Sequence, residues 1–259
     1  MGVVNVTPDS FSDGGDFFEP AAAIAHARLL LAEGADLVDV GGESTRPGAE
    51  PVPEAVELER VMPVIDALGR EDAPISIDTS KAAVARAALA SGASFVNDVT
   101  ALRAEPELAG VVADARAEVC LVHMQGEPRS MQDDPRYDDV VAEVRAFLED
   151  RLAWAVAQGI AEERVWLDPG IGFGKTLEHN LELIRRLDEI AAVGRPIVFG
   201  ASRKRFLGRL TGRDERDRVA GTVAANLLAF ERGAAMFRVH DVGPTLDALR
   251  VASATLGRP

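Results

Sequence analysis

The chain has few cysteines and few basic residues, two features that would each point to a particular class of protein. It holds one cysteine in 259 residues, Cys120, which excludes an internal disulfide framework and is expected to be a small buried hydrophobe in an apolar strand. It holds 28 basic against 42 acidic residues, a formal net charge of −14. Such a chain repels phosphate backbones and anionic lipid, so nucleic acid and membrane surfaces are not expected as partners. A small anionic ligand stays compatible with this charge, because basic residues can gather locally.

Long apolar runs and targeting segments are missing as well. No basic-then-apolar region opens the sequence, and no apolar run reaches the roughly 18 residues that span a bilayer. We therefore expect a soluble, cytoplasmic protein. There is also no Cys/His spacing for zinc, no Gly-x-Ser-x-Gly nucleophile elbow, and no linker or shift in composition that marks a domain boundary. The sequence predicts a single domain over residues 1–259.

Eight short apolar runs rich in Val and Ile are each followed by a stretch with helical periodicity. We predict strands over residues 2–7, 37–42, 74–78, 95–99, 119–124, 165–168, 196–200 and 236–240. Both flanks of a barrel strand are buried, so continuous apolar runs are expected in place of alternation. Eight strand–helix units in about 250 residues predict an α/β fold, a single (β/α)8 TIM barrel with its active site at the C-terminal ends of the strands.

Polar residues end three of these predicted strands, at Asp78, Asn97 and Asp168. A fused nitrogen heterocycle presents N–H and NH2 donors beside a carbonyl acceptor. Carboxylates accept a pair of such donors, and an amide side chain serves both kinds of group. Buried carboxylates without partners are costly, so three Asp/Asn residues at one barrel mouth indicate a binding site for such a ring. Phe173, in the glycine-rich segment after Asp168, is available to stack on it.

Basic residues follow the last two predicted strands. Ser202-Arg203-Lys204-Arg205 comes after the seventh, and Arg238 and His240 end the eighth. Phosphate sites in these barrels often lie beside strands 7 and 8, so this cluster predicts an anion site.

Asn5, on the first predicted strand, offers Mg²⁺ an uncharged oxygen beside substrate phosphates, although alone it fits an interior amide equally well. The segment 41–48 can hold a phosphate through its amides and Arg46, or be an ordinary surface loop.

Five segments together resemble the dihydropteroate synthases. They are NVTPDSFSDGG (5–15), GGESTRPG (41–48), DPGIGFGK (168–175), SRK (202–204) and RVH (238–240), and the likeness in order and spacing runs to about Val251. The resemblance implies a (β/α)8 enzyme of folate synthesis that joins 6-hydroxymethyl-7,8-dihydropterin diphosphate to 4-aminobenzoate. It further implies 7,8-dihydropteroate and diphosphate as products, Mg²⁺ as cofactor, sulfonamides as mimics of aminobenzoate, and a homodimer.

The resemblance also implies a role for each matching residue. The pterin would be held by Asp78, Asn97, Asp168, Phe173 and Lys204. The diphosphate would be held by Asn5, Arg238 and His240, with Asn5 on the Mg²⁺. The aminobenzoate pocket and its loops, 7–15 and 42–48, would be formed by Thr7, Asp9, Phe11, Thr45, Arg46 and Ser202. The catalytic residues would be Asp78, Lys204, Arg238 and His240.

The residue chemistry agrees with these roles, since attack of a neutral arylamine on a carbocation-like methylene requires no protein nucleophile. Two departures from the family stand out. Members usually carry a stretch before the first strand that covers the barrel base, so we expect a trimmed or misassigned start or another closure of the base. Arg205 stands where many members have Ser.

Two alternatives share the pterin site. A methyltetrahydrofolate–corrinoid methyltransferase would have no use for the predicted diphosphate residues. An inactive pterin-binding paralogue should have eroded loops after strands 1, 2 and 6, and here all three motifs are intact.

Overall fold

Eight parallel strands alternate with helices in the computed structural model, which describes residues 1–7, 20–46 and 48–257. The strands are β1 (Gly2–Asn5), β2 (Val38–Gly41), β3 (Ile75–Asp78), β4 (Phe95–Asp98), β5 (Glu118–Val122), β6 (Val165–Asp168), β7 (Ile197–Phe199) and β8 (Ala234–Phe237). They lie in one sheet in chain order, each parallel to the next. The predicted α/β architecture with eight parallel strands is therefore confirmed.

The helices of the described residues connect successive strands along the outside of the sheet. They are α1 (Pro20–Ala32), α2 (Glu54–Gly69), α3 (Ala82–Ala90), α4 (Glu107–Ala115), α5 (Val140–Ala157), α6 (Leu177–Arg185), α7 (Leu187–Ala191), α8 (Arg205–Thr211), α9 (Val219–Glu231) and α10 (Val242–Leu256). None of them is both long and apolar enough to cross a bilayer.

The first and last strands approach each other through the residues after β8. Val239 forms an isolated parallel bridge with Gly2. Its carbonyl accepts the N–H of Val3, and its own N–H donates to the carbonyl of Met1, each at 2.9 Å. Hydrogen bonds therefore run across the edge between β1 and β8, although these two strands are not paired along their lengths in the sheet.

Apolar side chains form two clusters on the two faces of the sheet. The larger joins strand residues such as Val40 and Ile77 to the inner faces of the helices. The smaller gathers residues from around the concave face: Met1, Leu37, Phe95, Cys120, Val122 and Val198, with Trp166, Phe173 and Met236 packed against them. Burial on both faces explains why the strands read as continuous apolar runs. Cys120 is fully buried and free, as expected.

Register places the predicted site residues at one edge of the sheet. Asn5 is level with Gly41, Gly41 with Asp78, and Asp78 with Asn97. Asp168 ends β6 level with Val122.

The predicted bounds of the eighth strand are wrong, because β8 begins earlier, at Ala234, and ends at Phe237. An irregularity in register where β7 pairs with β8 accompanies this shift. Arg238 and His240 thus follow the strand.

Candidate active site

A cavity of about 800 Å³ opens at the C-terminal ends of the strands, a size typical of small-molecule sites. Most of the predicted site residues line it: Asn5, Thr7, Thr45, Arg46, Asp78, Phe173, Ser202, Lys204, Arg238 and His240. Asn97 and Asp168 lie just behind this lining and are buried. Asp9 and Phe11 fall outside the described residues. The described residues predicted for the site therefore lie together at one edge of the sheet.

An arginine shared by two carboxylates forms the floor of this cavity. Arg238 donates through Nε to Asp39 Oδ2 and through Nη2 to Asp78 Oδ2, each at 2.6 Å. Asp39 has no exposed surface and also accepts Ser76 Oγ at 2.6 Å and Asn97 Nδ2 at 3.1 Å. The guanidinium and the Asn97 amide are thus fixed by the same buried carboxylate.

Burial and these charges set the ionisation of the floor. Burial raises the pKa of Asp78 to about 7, against the opposing effect of Arg238 and with a further rise from Asp39. Burial alone would lower the pKa of Arg238, but Asp39 and Asp78 hold it above its ordinary value. Asp78 therefore changes charge near neutral pH while the guanidinium beside it stays charged.

The glycine-rich segment after β6 borders Lys204. The Lys204 ammonium lies 4.4 Å from the centre of the Phe173 ring and donates to the carbonyl of Ile171. Gly172 has a φ of +82°, and a Cβ added there would lie 3.0 Å from Lys204 Cδ. Burial lowers the pKa of Lys204 to about 8, although Asp168 opposes this shift. The amine keeps its proton at neutral pH but loses it within the range in which enzymes are assayed.

Asp168 and Lys204 lie side by side around Gly200. A Cβ added at Gly200 would come 3.7 Å from both Asp168 Oδ2 and Lys204 Nζ. Asp168 Oδ1 accepts the N–H of Gly170 at 2.6 Å, and burial raises the pKa of this carboxyl while Lys204 opposes the rise. Oδ2, which is not engaged by Gly170, is the oxygen available to a ligand, and a side chain at position 200 would contact both this oxygen and the lysine.

Ser202 contacts His240 at two atoms. The Ser202 hydroxyl accepts the backbone N–H of His240 at 3.1 Å and lies 2.9 Å from His240 Nδ1. When the hydroxyl proton points at Nδ1, the ring proton lies on Nε2, from where it can be donated to a ligand. Burial, then the charges of Arg203 and Arg238, lower the pKa of His240 well below its ordinary value. His240 is therefore a neutral donor.

The remaining predicted residues lie near the mouth of the cavity. Arg46 is half-buried and pairs with Glu215 at 3.3 Å, and Thr45 is half-buried beside it. Thr7 is buried at the end of β1. Ser202, which the family resemblance assigns to the aminobenzoate pocket, lines the cavity and lies 2.9 Å from His240 Nδ1.

Comparisons with known proteins assign the family. A family model described as pterin binding enzyme matches residues 1–240. The dihydropteroate synthase of Escherichia coli K12 is 46% identical over 257 residues, covering 99% of this chain and 91% of that protein. The chain belongs to the dihydropteroate synthase family.

Solved dihydropteroate synthases share the fold along the whole chain. The Yersinia pestis synthase in complex with a sulfonamide drug superimposes with a TM-score of 0.96 at 44% identity, covering 99% of this chain and 94% of that one. The Xanthomonas albilineans synthase with 4-aminobenzoic acid gives 0.92 at 52% identity, covering 100% and 93%. The same synthase has also been solved in complex with 7,8-dihydropteroate.

Two features of this dihydropteroate synthase site were not predicted from the sequence. The first is Asp39, which stands inside an apolar run. Because a buried carboxylate without a partner is costly, this position indicates that a cation or hydrogen-bond donor lies nearby. His123 and Lys175, beside the glycine-rich segment, contact each other at 2.9 Å, and Lys175 also lines the cavity. A histidine at the end of a predicted strand was visible, but nothing in the sequence pointed to its partner.

Proposed function

We propose that the chain condenses 6-hydroxymethyl-7,8-dihydropterin diphosphate with 4-aminobenzoate to give 7,8-dihydropteroate and diphosphate. The observation that carries this proposal is the position of Arg238. It lines the cavity beside His240, where a diphosphate would be bound, and it is held by Asp78 and Asp39, the latter of which also holds Asn97. One guanidinium thus joins a heterocycle site to an anion site.

In this proposal the pterin ring lies between Phe173 and the buried carboxylates. Asp168 Oδ2 accepts ring donors, Asn97 supplies an amide that both donates and accepts, and Lys204 donates to ring acceptors. The rise in the pKa of Asp168 on burial favours such hydrogen bonding, since ring N–H groups compensate a carboxylate that has lost its water.

The reaction proceeds by loss of diphosphate followed by addition of the amine. The C–O bond to the diphosphate breaks and its electron pair leaves with the phosphate oxygen, whose charge Arg238 and the Nε2–H of His240 stabilise. Ionised Asp78 stabilises the positive charge left on the exocyclic methylene. The lone pair of the neutral arylamine then forms the C–N bond, and the nitrogen releases its extra proton to solvent.

Asn5 would hold Mg²⁺ at this site as its protein ligand. The described residues contain no group of three or more His, Cys, Asp or Glu side chains that could form an all-protein cage. Mg²⁺ in phosphate sites commonly takes one or two protein oxygens and fills the rest with phosphate and water, and Asn5 lines the cavity beside Arg238 and His240. When bound, the ion neutralises charge on the leaving diphosphate.

We further propose a closed (β/α)8 barrel and a homodimer. The hydrogen bonds of Val239 to Met1 and Val3 support closure, as does the apolar cluster on the concave face. A dimer face over α9 and α10 is supported by three large hydrophobic side chains exposed there: Leu228, Val251 and Leu256. We place the enzyme in the cytoplasm, where a free thiol such as Cys120 stays reduced.

The decisive experiment measures diphosphate release from the pterin diphosphate, with and without 4-aminobenzoate, in Mg²⁺ and in EDTA. We expect Mg²⁺-dependent release that needs the arylamine and yields dihydropteroate, and its loss in Asp78→Ala. Tight binding of the pterin diphosphate without turnover would favour an inactive paralogue. Methyl transfer from methyltetrahydrofolate to a corrinoid would favour the methyltransferase.

A further inference from the structure

Lys175 and His123 form a buried polar pair that the proposed reaction does not use. Both residues are almost without exposed surface. Lys175 Nζ lies 2.9 Å from His123 Nδ1, 3.0 Å from the carbonyl of Phe173 and 3.5 Å from the carbonyl of His123. The three protons of the ammonium thus each have an acceptor, and none of these acceptors is a carboxylate.

The pair ties two segments that leave neighbouring strands. His123 follows β5. Lys175 comes directly after segment 170–174, which follows β6. The two backbones are in direct contact: at Gly170, with φ +68°, an added Cβ would lie 1.8 Å from the carbonyl oxygen of His123. At Gly174, with φ +61°, it would lie 2.4 Å from that of Gln125. Segment 170–174 therefore rests on the chain after β5, and Lys175 fastens it there.

This segment in turn holds two groups of the proposed pterin site. The carbonyl of Ile171 accepts the ammonium of Lys204, and the ring of Phe173 lies under it. Gly172 packs against the aliphatic part of the same lysine. A shift of segment 170–174 would therefore move both the ring that stacks on the pterin and the amine that binds it.

We propose that Lys175, held by His123, is a positioning residue for pterin binding, which it controls by fixing segment 170–174 against Lys204. This rests on the proposed function, in which Lys204 and Phe173 bind the pterin. Other side chains also hold this segment: Gln132 donates to the carbonyl of Gly172, Tyr137 donates to the carbonyl of Gly174 at 2.9 Å, and Asn180 accepts the N–H of Gly172 at 2.6 Å. Among the described residues, Lys175 is the one whose side chain joins the Phe173 carbonyl to His123, the residue after β5.

The ionisation of the two residues supports a role for Lys175 in positioning, as opposed to one in packing alone. Burial lowers the pKa of His123 to about 2, so its Nδ1 stays free to accept at any pH at which an enzyme is assayed. Burial lowers the pKa of Lys175 well below its ordinary value, while Asp168 opposes the shift and Lys204 adds to it. An apolar residue of similar volume would fill the same space without this cost, so packing alone does not account for an amine here.

The test compares Lys175→Met, His123→Leu and His123→Asn by steady-state kinetics. Lys175→Met and His123→Leu should each raise KM for the pterin diphosphate about tenfold, as expected for loss of a hydrogen bond to a charged group, and leave KM for 4-aminobenzoate within about twofold. Asparagine can turn its oxygen towards Nζ, so His123→Asn should restore most of the wild-type KM. The double variant Lys175→Met/His123→Leu should be no worse than either single variant.

Two further variants separate the possible failures. Arg151→Met removes a partly buried cation–carbonyl hydrogen bond, Nε to Ala101 O at 2.9 Å, away from the cavity, so it should lower the melting temperature without changing either KM. Lys204→Met should raise KM for the pterin diphosphate; no change would refute the proposed pterin site and this inference with it. If Lys204→Met raises KM but folded Lys175→Met and His123→Leu keep wild-type values, the inference alone is overturned. Should Lys175→Met not fold, the contrast between His123→Leu and His123→Asn decides, and equal KM values in those two would overturn it.

Discussion

Replacing Asp39 by asparagine would remove a negative charge from the cavity floor while almost preserving the shape of the side chain. Asp39 accepts three hydrogen bonds, from Ser76 at 2.6 Å, Asn97 at 3.1 Å and Arg238 at 2.6 Å. The asparagine oxygen can stay at the Oδ2 position and keep the last two, while its NH2 group faces the Ser76 hydroxyl, which can turn to accept. The substitution therefore tests the charge more than the packing.

The loss of this charge should have a cost in stability. Removing one partner of a buried ion pair costs about 3–5 kcal/mol, but Arg238 keeps Asp78 and its hydrogen bond to the new amide. We therefore expect a loss of about 2–3 kcal/mol in the free energy of unfolding. For a chain of this size that corresponds to a melting temperature lower by roughly 4–12 °C.

The same substitution should shift the pH profile in a defined direction. The negative charge of Asp39 contributes to raising the pKa of Asp78 to about 7, and Arg238 opposes it. Without Asp39, the guanidinium acts on Asp78 alone, so the pKa of Asp78 falls. In the proposed mechanism ionised Asp78 stabilises the cationic methylene, so kcat/KM should fall as the pH drops through this pKa, and Asp39→Asn should move the acid limb to lower pH.

The assay is kcat/KM for the pterin diphosphate between pH 5 and 9, with thermal melts of the same proteins. Ser76→Ala is the matched control, since it removes a neutral hydrogen bond from the same carboxylate and leaves the charge in place. Ser76→Ala should lower the melting temperature less than Asp39→Asn does, and it should leave the acid limb of the kcat/KM profile at the wild-type pH. An acid limb in Asp39→Asn that stays at the wild-type pH, or moves upward, would refute the electrostatic reasoning.

Three further predictions concern other polar groups that line the cavity. Since burial lowers the pKa of Lys204 to about 8, kcat/KM should fall as the pH rises through 8, and Lys204→Arg should move this basic limb upward in the same profiles. Ser202→Ala removes the hydroxyl that orients His240, so Kd for inorganic diphosphate, measured by calorimetry in Mg²⁺, should rise about tenfold while Kd for a pterin without diphosphate stays unchanged. Asn5→Leu should raise the Mg²⁺ concentration needed for half-maximal activity in a metal titration, and an unchanged titration would remove Asn5 from the metal site.

The C-terminal edge of the sheet could be predicted from the sequence because each strand carries its own signal. A short apolar run followed by Asp78 or by Asn97 defines a strand end without reference to the rest of the chain. Parallel strands then place such ends at one edge, which the register of β3 with β4 confirms. The predicted eighth strand failed at its bounds because Ala234 and Ala235 carry no strand signal, whereas Arg238-Val239-His240 resembles a strand end.

The connections between these ends could not be predicted, because they join residues far apart in the chain. Arg238 lies 199 residues from Asp39 and 160 from Asp78. Lys175 lies 52 residues from His123, and Ser202 lies 38 from His240. Nothing local distinguishes the Asp39 that binds an arginine from one that faces solvent. Only the fold shows that the same arginine serves two carboxylates.

The charge on the cavity floor explains how so acidic a chain can both bind and release a diphosphate. Three buried carboxylates, Asp39, Asp78 and Asp168, stand against three cations, Arg238, Lys204 and Lys175, so the floor carries no net positive charge when all are ionised. Rim arginines such as Arg205 and Arg209 attract the anion over a longer range but are screened by salt. Tight binding of diphosphate should therefore depend on Mg²⁺. Product inhibition by diphosphate should weaken sharply when Mg²⁺ is removed, whereas inhibition by a neutral pterin should not, and equal inhibition by diphosphate in Mg²⁺ and EDTA would contradict this account of the charges.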